Sequence, residues 1–538
     1  MLSTLLSLAC HTRCRRIVML LTHNTHYPTW SWLGTLPLRC RYIRVFRKIR
    51  FMTSKHWTLV GGAVACLASI LEIGSASASP WVEPGDAYER FRMQHYADRG
   101  LLDATVSSWP LSRSNAKLVK ESESDRFLWN EVGGKIGTDV HLTLGGATSP
   151  DMIGGFGDSP NEQGEVDFTL DYVGDAFAIA LSPSYVPDPS DDETVRFDGS
   201  YVAGTLSNWT FGAGYIDRWW GPGWQSSLIL SDNARPLPTV WFNRRNTHTA
   251  RSPWLSWLGP WNFTAFAGQF ETERAIPDAK LVGMRLNFRP LTGLEIGLSR
   301  LIQWGGEGQP ESLSSFWDSF RGNDNFGSNG VDPGNQLAGI DLRYGFAFND
   351  HTVGLYTQVV GEDEAGYLPS RKVYQFGIDW TSQWFGGSQQ WYLEGVDTLT
   401  EGLFGSERRP NYAYEHFNYR SGMRHLGRNI ATTFDADSRA ITLGTYHFSN
   451  ADRLWRFALT YAKLNRDWGS RFLKGGGDDV DYFVPLGSKE VLVADLRHER
   501  PLPIGDLMIG LSIASDAIEV AGDSVDEVMG AIEWRVPL

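Results

Sequence analysis

The sequence predicts an all-β protein: an 18-stranded antiparallel transmembrane β-barrel with a short N-terminal periplasmic helical segment. Three observations carry that expectation. Apolar and polar residues alternate strictly over runs of eight or more residues; short and long connections alternate between those runs; and the chain opens with an export signal, with no later apolar run long enough for a membrane-spanning helix.

Residues 1–51 contain nine Lys or Arg and no Asp or Glu, and read as a mis-assigned start or a basic extension. Met52 to Pro80 has a basic start at Lys55, an apolar centre from Trp57 to Leu71 and the small-residue end Ala76-Ser77-Ala78. That is the layout of a signal peptide, assigned to 52–78. All four cysteines (Cys10, Cys14, Cys40, Cys66) precede residue 79, so the exported chain forms no disulfide and offers no thiolate to a metal. No cofactor and no metal are expected. Removing ten basic residues and one acidic residue leaves 39 Lys plus Arg against 61 Asp plus Glu, a net of −22. Nucleic acid, which demands a basic face, is thereby excluded as a partner.

Residues 79–130 form the periplasmic helical segment. Within it, 86–103 reads as a short amphipathic helix with Asp86 as N-cap, Glu89 three residues on and Gly100 as C-cap; Phe91, Tyr96 and Leu101 mark its apolar side. The helix is expected beneath the short turns of the barrel that follows, 131–538.

Val282, Met284, Leu286 and Phe288 share one face of 281–289, while Arg285, Asn287 and Arg289 share the other. Segments 339–349, 373–380 and 454–463 repeat the scheme, which is a strand signal. Strands are expected at 131–145, 164–173, 176–187, 194–206, 209–218, 238–247, 261–273, 279–290 and 293–304. The second half adds 335–349, 351–361, 371–384, 388–400, 437–449, 452–466, 488–500, 504–515 and 526–537. Tight turns such as Ser207-Asn208 and Leu291-Thr292 alternate with long loops at 146–163, 219–237, 305–334, 362–370, 401–436 and 467–487. Only the link His248–Pro260 is longer than that scheme allows. A Lys or Arg facing lipid at mid-membrane costs about 2–4 kcal/mol. Arg285, Arg343, Arg456 and Arg497 are therefore expected to face the lumen.

Several segments resemble the Wzi family of outer-membrane capsule-assembly proteins: RWWGPGWQSSLIL (218–230), SRLIQWGGEGQP (299–310), DPGNQLAG (332–339), VGEDEAGYLPS (360–370), WYLEGVDT (391–398), YAKLN (461–465) and SSWPL (107–111). The resemblance runs through nearly all of the chain after the signal. It implies an 18-stranded outer-membrane barrel with a periplasmic helical segment, and a lectin-like role holding capsular or extracellular polysaccharide at the cell surface. About 20 residues (112–130) separate SSWPL from the first strand, fewer than the family pattern has, so the helical part is expected to be reduced. Contact with polysaccharide export machinery, which that part implies, is left open.

The motifs fall at the long-loop end of the predicted strands. Trp219, Trp220 and Trp224 offer flat faces to sugar rings, with Trp304, Tyr412 and Tyr414 as additions; a girdle or loop-packing role is the competing reading. Arg235 and Arg244, with Arg218 and Arg245, suit glycan carboxylates or lumenal ion pairs. Glu307, Glu362 and Asp363 are further polysaccharide-binding candidates at loop starts. No nucleophile elbow, HExxH or P-loop occurs, and a non-enzymatic monomer in contact with outer-membrane lipid is expected. The alternatives are a porin or substrate channel with a charged lumen, and a glycan-modifying enzyme.

Overall fold

In the computed structural model, residues 80–538 are described except 116–136, 158–161, 175, 251, 322–333, 366–367, 402–407, 450–451, 467–481 and 521–522. The basic extension, the signal peptide and the predicted strand start at 131–136 lie outside the described residues.

Alternation becomes strand wherever it was read. The barrel runs β1 Gly137–Ala147, β2 Glu165–Val173, β3 Phe177–Leu181 continued by Ser184–Tyr185, and β4 Val195–Arg196 continued by Tyr201–Leu206. Next come β5 Trp209–Tyr215, β6 Pro238–Arg244, β7 Trp261–Gln269, β8 Lys280–Leu291, β9 Leu294–Trp304 and β10 Gly334–Phe348. The longest wall is β11 His351–Ala365, β12 Leu368–Trp384 and β13 Gly387–Glu401. The circuit ends with β14 Arg439–Ser449, β15 Arg453–Leu464, β16 Lys489–Pro501, β17 Asp506–Ala514 and β18 Val528–Pro537. All eighteen pair antiparallel, and β18 closes on β1 from Ala531↔Ala147 to Pro537↔His141.

The solvent each face meets explains the alternation. Outward residues such as Phe211, Val240, Ile340, Phe376, Leu443 and Leu492 are exposed, and together they form an apolar belt of the kind that lipid covers. Inward residues are polar: Arg285, Arg343 and Arg456 are buried inside the wall, as predicted. The link at 245–260 is accommodated by a single 3-10 turn, Ser256–Leu258, with Trp254 and Trp257 projecting to the outside.

The helix α1, Ala87–Asp98, begins where predicted, with Asp86 accepting a hydrogen bond from Glu89 N at 2.9 Å. Its placement corrects the expectation: α1 does not lie beneath the turns but enters the short-turn end of the lumen. Ten of its residues are buried, Arg90, Arg92 and Gln94 among them. A helix with a charged side is buried all round only where the surrounding wall is itself polar. Here Arg343 of β10 donates to both Asp98 oxygens at 2.6 and 2.7 Å and to Asp379 of β12 at 2.9 Å. Arg289 of β8 donates to the carbonyls of Ala97 and Ala104, and Gln94 donates to Asp379.

Beyond α1 the chain stays inside. Glu295 of β9 accepts from Val106 N, Ser107 N and Ser107 Oγ, and Arg285 donates to Ser107 Oγ, Ser108 Oγ and both oxygens of Asp341. Ser108–Trp109 then forms a two-residue ladder with Trp219–Trp220. Two segments more than a hundred residues apart, singled out separately in the sequence, are thus bonded to one another.

Candidate functional site

The segment 216–237 joins β5 to β6, and its part 219–237 was expected to cross the outer rim. It turns inward instead. Trp219, Trp220 and Trp224 are buried, with exposures of 1%, 1% and 0%. Their surroundings are protein: Trp224 lies against Tyr446, Phe156 and Tyr392, and the Arg90 guanidinium sits 4.1 Å from its ring centre. The wall supplies what the segment's backbone needs. Gln358 of β11 accepts from Leu228 N and donates to Trp220 O; Gln375 of β12 donates to Ser226 O; Glu394 of β13 accepts from Trp224 N at 2.9 Å. A Cβ on Gly223 would come within 2.2 Å of both the Gln375 amide and Ser226 O, so the Gly-Pro-Gly stretch is set by close packing. The rim placement of these tryptophans is therefore corrected: both as sugar platforms and as a membrane girdle they lack accessible faces. Periodicity separates strand from non-strand, but an inward and an outward connection look alike to it.

The other candidates disperse. Tyr414 is buried, donates its hydroxyl to Leu228 O, and donates its backbone N–H to Glu362 at the top of β11. Glu362 is thus a buried acceptor and not a rim ligand. Asp363 pairs with Ser370 across β11 and β12, and its side chain lies outside the described residues. Trp304 ends β9 on the outer side, donating to Ser315 of a second helix, α2 Leu313–Arg321, and meeting Phe316 edge-on at 5.5 Å. Glu307 is exposed in the following loop, and Tyr412 is half-buried with Arg371 at 5.9 Å from its ring. Arg244 stacks on Trp261 at 3.9 Å at the short-turn end, opposite to Arg235. One composite rim does not form.

What does form at the long-loop end is a cavity of about 390 Å³ between the inner faces of β1–β4, segment 232–236 and the turn at 425–428. Of the sequence candidates only Arg235 lines it. Its Nε bonds Asp198 at 2.6 Å, and its Nη1 bonds Asp191 at 2.6 Å and Glu193 at 2.8 Å. Arg196 bonds Glu162 at 2.6 Å and Asp191 at 2.8 Å, so Asp191 bridges two guanidiniums. Burial works against the Asp191 charge, yet Arg235 and Arg196 hold its carboxyl below the ordinary range. Burial likewise opposes the Arg235 charge, but Asp198 and Asp191 raise its pKa.

Carboxylates outnumber guanidiniums eight to three among the lining residues. Both cavity arginines that face each other are already neutralised, so they are not placed to take a glycan carboxylate. The surplus oxygens, Glu165 and Asp167 on β2 among them, are acceptors suited to sugar hydroxyls. Sequence reading missed Glu162, Asp191, Asp198 and Arg196; the alternation of Arg196 and Asp198 with outward Val195 and Phe197 was the available signal.

The comparisons agree with this architecture. The family described as capsule assembly protein Wzi matches residues 134–492, more than half of the chain. A Klebsiella pneumoniae protein described as an uncharacterized 55.8 kDa protein in the cps region is 34% identical over 321 residues, covering 56% of this chain. The chain spans 62% of that relative's length. A solved structure from Escherichia coli is described as Wzi, an outer membrane protein involved in group 1 capsule assembly and a carbohydrate-binding β-barrel. It superposes with a TM-score of 0.73 at 26% identity, covering 86% of this chain and 100% of that one. A closed eighteen-stranded wall, a lumen occupied by inward segments of the same chain and the family match over residues 134–492 converge: the chain belongs to the Wzi family of capsule assembly proteins.

Proposed function

We propose that this chain is an outer-membrane, carbohydrate-binding barrel that holds capsular or extracellular polysaccharide at the cell surface without chemically altering it. It is exported by segment 52–78, carries its long loops outside the cell and its N-terminus on the periplasmic side, and works as a monomer ringed by outer-membrane lipid. The observation that carries this reading is the carboxylate-lined cavity at the long-loop end, supported by the carbohydrate-binding description of the E. coli relative.

The chemistry follows from the donor and acceptor balance. Ionised carboxylates accept bonds from hydroxyls, and a lining with surplus negative charge favours a neutral stretch of glycan over an acidic one. A single contact of this kind is weak. A repeating polymer engaging many barrels gains by avidity. No group here is asked to break a bond.

The test is binding of the host's own polysaccharide to the purified protein, comparing wild type with Glu165→Gln/Asp167→Asn. These changes keep shape but replace an acceptor oxygen with a donor nitrogen. Losing two charged hydrogen bonds, each worth about 1.5–3 kcal/mol, should weaken each barrel's hold by at least tenfold. Unchanged affinity contradicts the placement of the site; shortened polymer after incubation contradicts the non-enzymatic reading.

A further inference from the structure

A second cavity, of about 320 Å³, lies at the other end of the lumen, between the short-turn ends of β2–β7 and the stretch Pro80–Ser114. Its charge is opposite to that of the first. Arg113, Arg218 and Arg245 line it, and among the described residues no carboxylate does. This separation is not a consequence of overall charge, since the exported chain is strongly acidic.

Arg218 is the most telling member. It is 6% exposed, donates to Ile216 O and Thr239 Oγ1 at 3.1 Å each, and faces the rings of Phe266 at 4.6 Å and Trp241 at 5.6 Å. Other buried lumenal arginines hold carboxylates directly: Arg285 holds Asp341, and Arg343 holds Asp98 and Asp379. Among the described residues Arg218 forms no such ion pair, and burial pushes its pKa down to about 9. A desolvated cation on a cavity wall without a bonded carboxylate is stabilised by any oxyanion that enters. Arg245 is partly exposed on the same wall, where it can meet such an anion first.

The rest of the lining decides which anion. Ser112, Ser114, Thr205, Thr210 and Asn243 add hydroxyl and amide groups, and Trp81 and Trp241 add indole edges. That mixture suits a compact ligand rich in hydroxyls with one negative group, and the volume is at the small end of ligand cavities. We propose that the short-turn-end cavity is a binding site for a carboxylate-bearing sugar, a uronate unit, distinct from the carboxylate-lined site at the long-loop end. The proposal needs no particular glycan at the outer site; it rests on the fold and on this lining alone.

Calorimetry on the full-length protein purified in detergent tests it, with galacturonate and its short oligomers as probes, galactose as the neutral control and inorganic phosphate as the simple oxyanion. Saturable binding of galacturonate, weakened by salt and absent for galactose, is expected. Arg113→Gln/Arg245→Gln should lower affinity at least tenfold, and Arg245→Gln alone measurably, with heat-resistant mobility on gels retained. Glu165→Gln/Asp167→Asn, at the outer cavity, should leave uronate affinity unchanged, which keeps this result separate from the polysaccharide-holding role. The proposal is overturned if galacturonate does not bind or galactose binds equally. It is also overturned if phosphate matches the sugar acid, or if the arginine variants bind as wild type does.

Discussion

Trp224 has no exposed surface, and its ring is covered by Arg90 on one side and aromatic neighbours on others. Replacing it with Ala should therefore act on stability. Loss of about 3–5 kcal/mol is expected for a buried Trp truncated to Ala, read as an earlier midpoint in urea unfolding of the detergent-solubilised protein; an unshifted midpoint with lost glycan binding would return Trp224 to a ligand role. Arg343 offers a sharper case. Asp98→Ala removes one of the two carboxylates that it bonds inside the lumen. Breaking a buried pair costs about 3–5 kcal/mol because the remaining charge is stranded, so Asp98→Ala should destabilise more than a surface change such as Lys463→Ala. The Asp191 bridge sets a pH expectation. Its folded pKa is depressed, so it contributes stability above its unfolded value of about 3.9, lost as pH falls through the lower folded value. Protease resistance of loop 186–194 should accordingly be flat from pH 7 to about 5. A collapse of resistance in that window contradicts the bridge.

Among the elements, α1 and segment 216–237 divide one task. Both carry apolar residues that need cover and polar groups that need partners, and the lumen of a wide barrel provides both. Arg90 of α1 ties them, donating to the carbonyls of Pro222 and Gly223 at 2.8 and 2.7 Å. Deleting residues 80–115 should remove the short-turn half of this filling, while the wall, closed by strand pairing alone, persists. In planar bilayers the deletion variant is expected to pass steady current where the full chain is silent. Equal conductance from both proteins would mean that α1 does not obstruct the lumen, and would favour the channel reading. The helix α2 is a different kind of element. It packs Ser315 and Ser319 inward and presents Leu313 and Trp317, on the outside of β9 and β10, beside the apolar belt.

At the scale of the molecule, strands were legible because each wall residue faces either an apolar outside or a polar lumen, and the period of two records it. The eighteen strand positions follow from that record; the breaks within β3 and β4 do not, since the reading spanned each as a single strand. What fills the lumen was not legible. Trp219 and Trp220 have the composition of a girdle, a sugar platform and a buried core alike, and only the polar partners Gln358, Gln375 and Glu394, far along the chain, decide among them. The cavity at the long-loop end was illegible for the same reason: Asp191, Asp198 and Arg235 become a network only once β4 and segment 232–236 are side by side. Family resemblance supplied the class of function, and the proposed place for it rests on the lining of that cavity.

The proposed role of the long-loop-end cavity is to hold polysaccharide on the cell. It is tested most directly by the ratio of cell-bound to released polymer in an encapsulated host lacking the gene, complemented with wild type or with Glu165→Gln/Asp167→Asn at equal barrel abundance. Wild type should restore the bound fraction, and the variant should leave most polymer in the medium. Full restoration by the variant, or an unchanged ratio when the protein is absent, would contradict it.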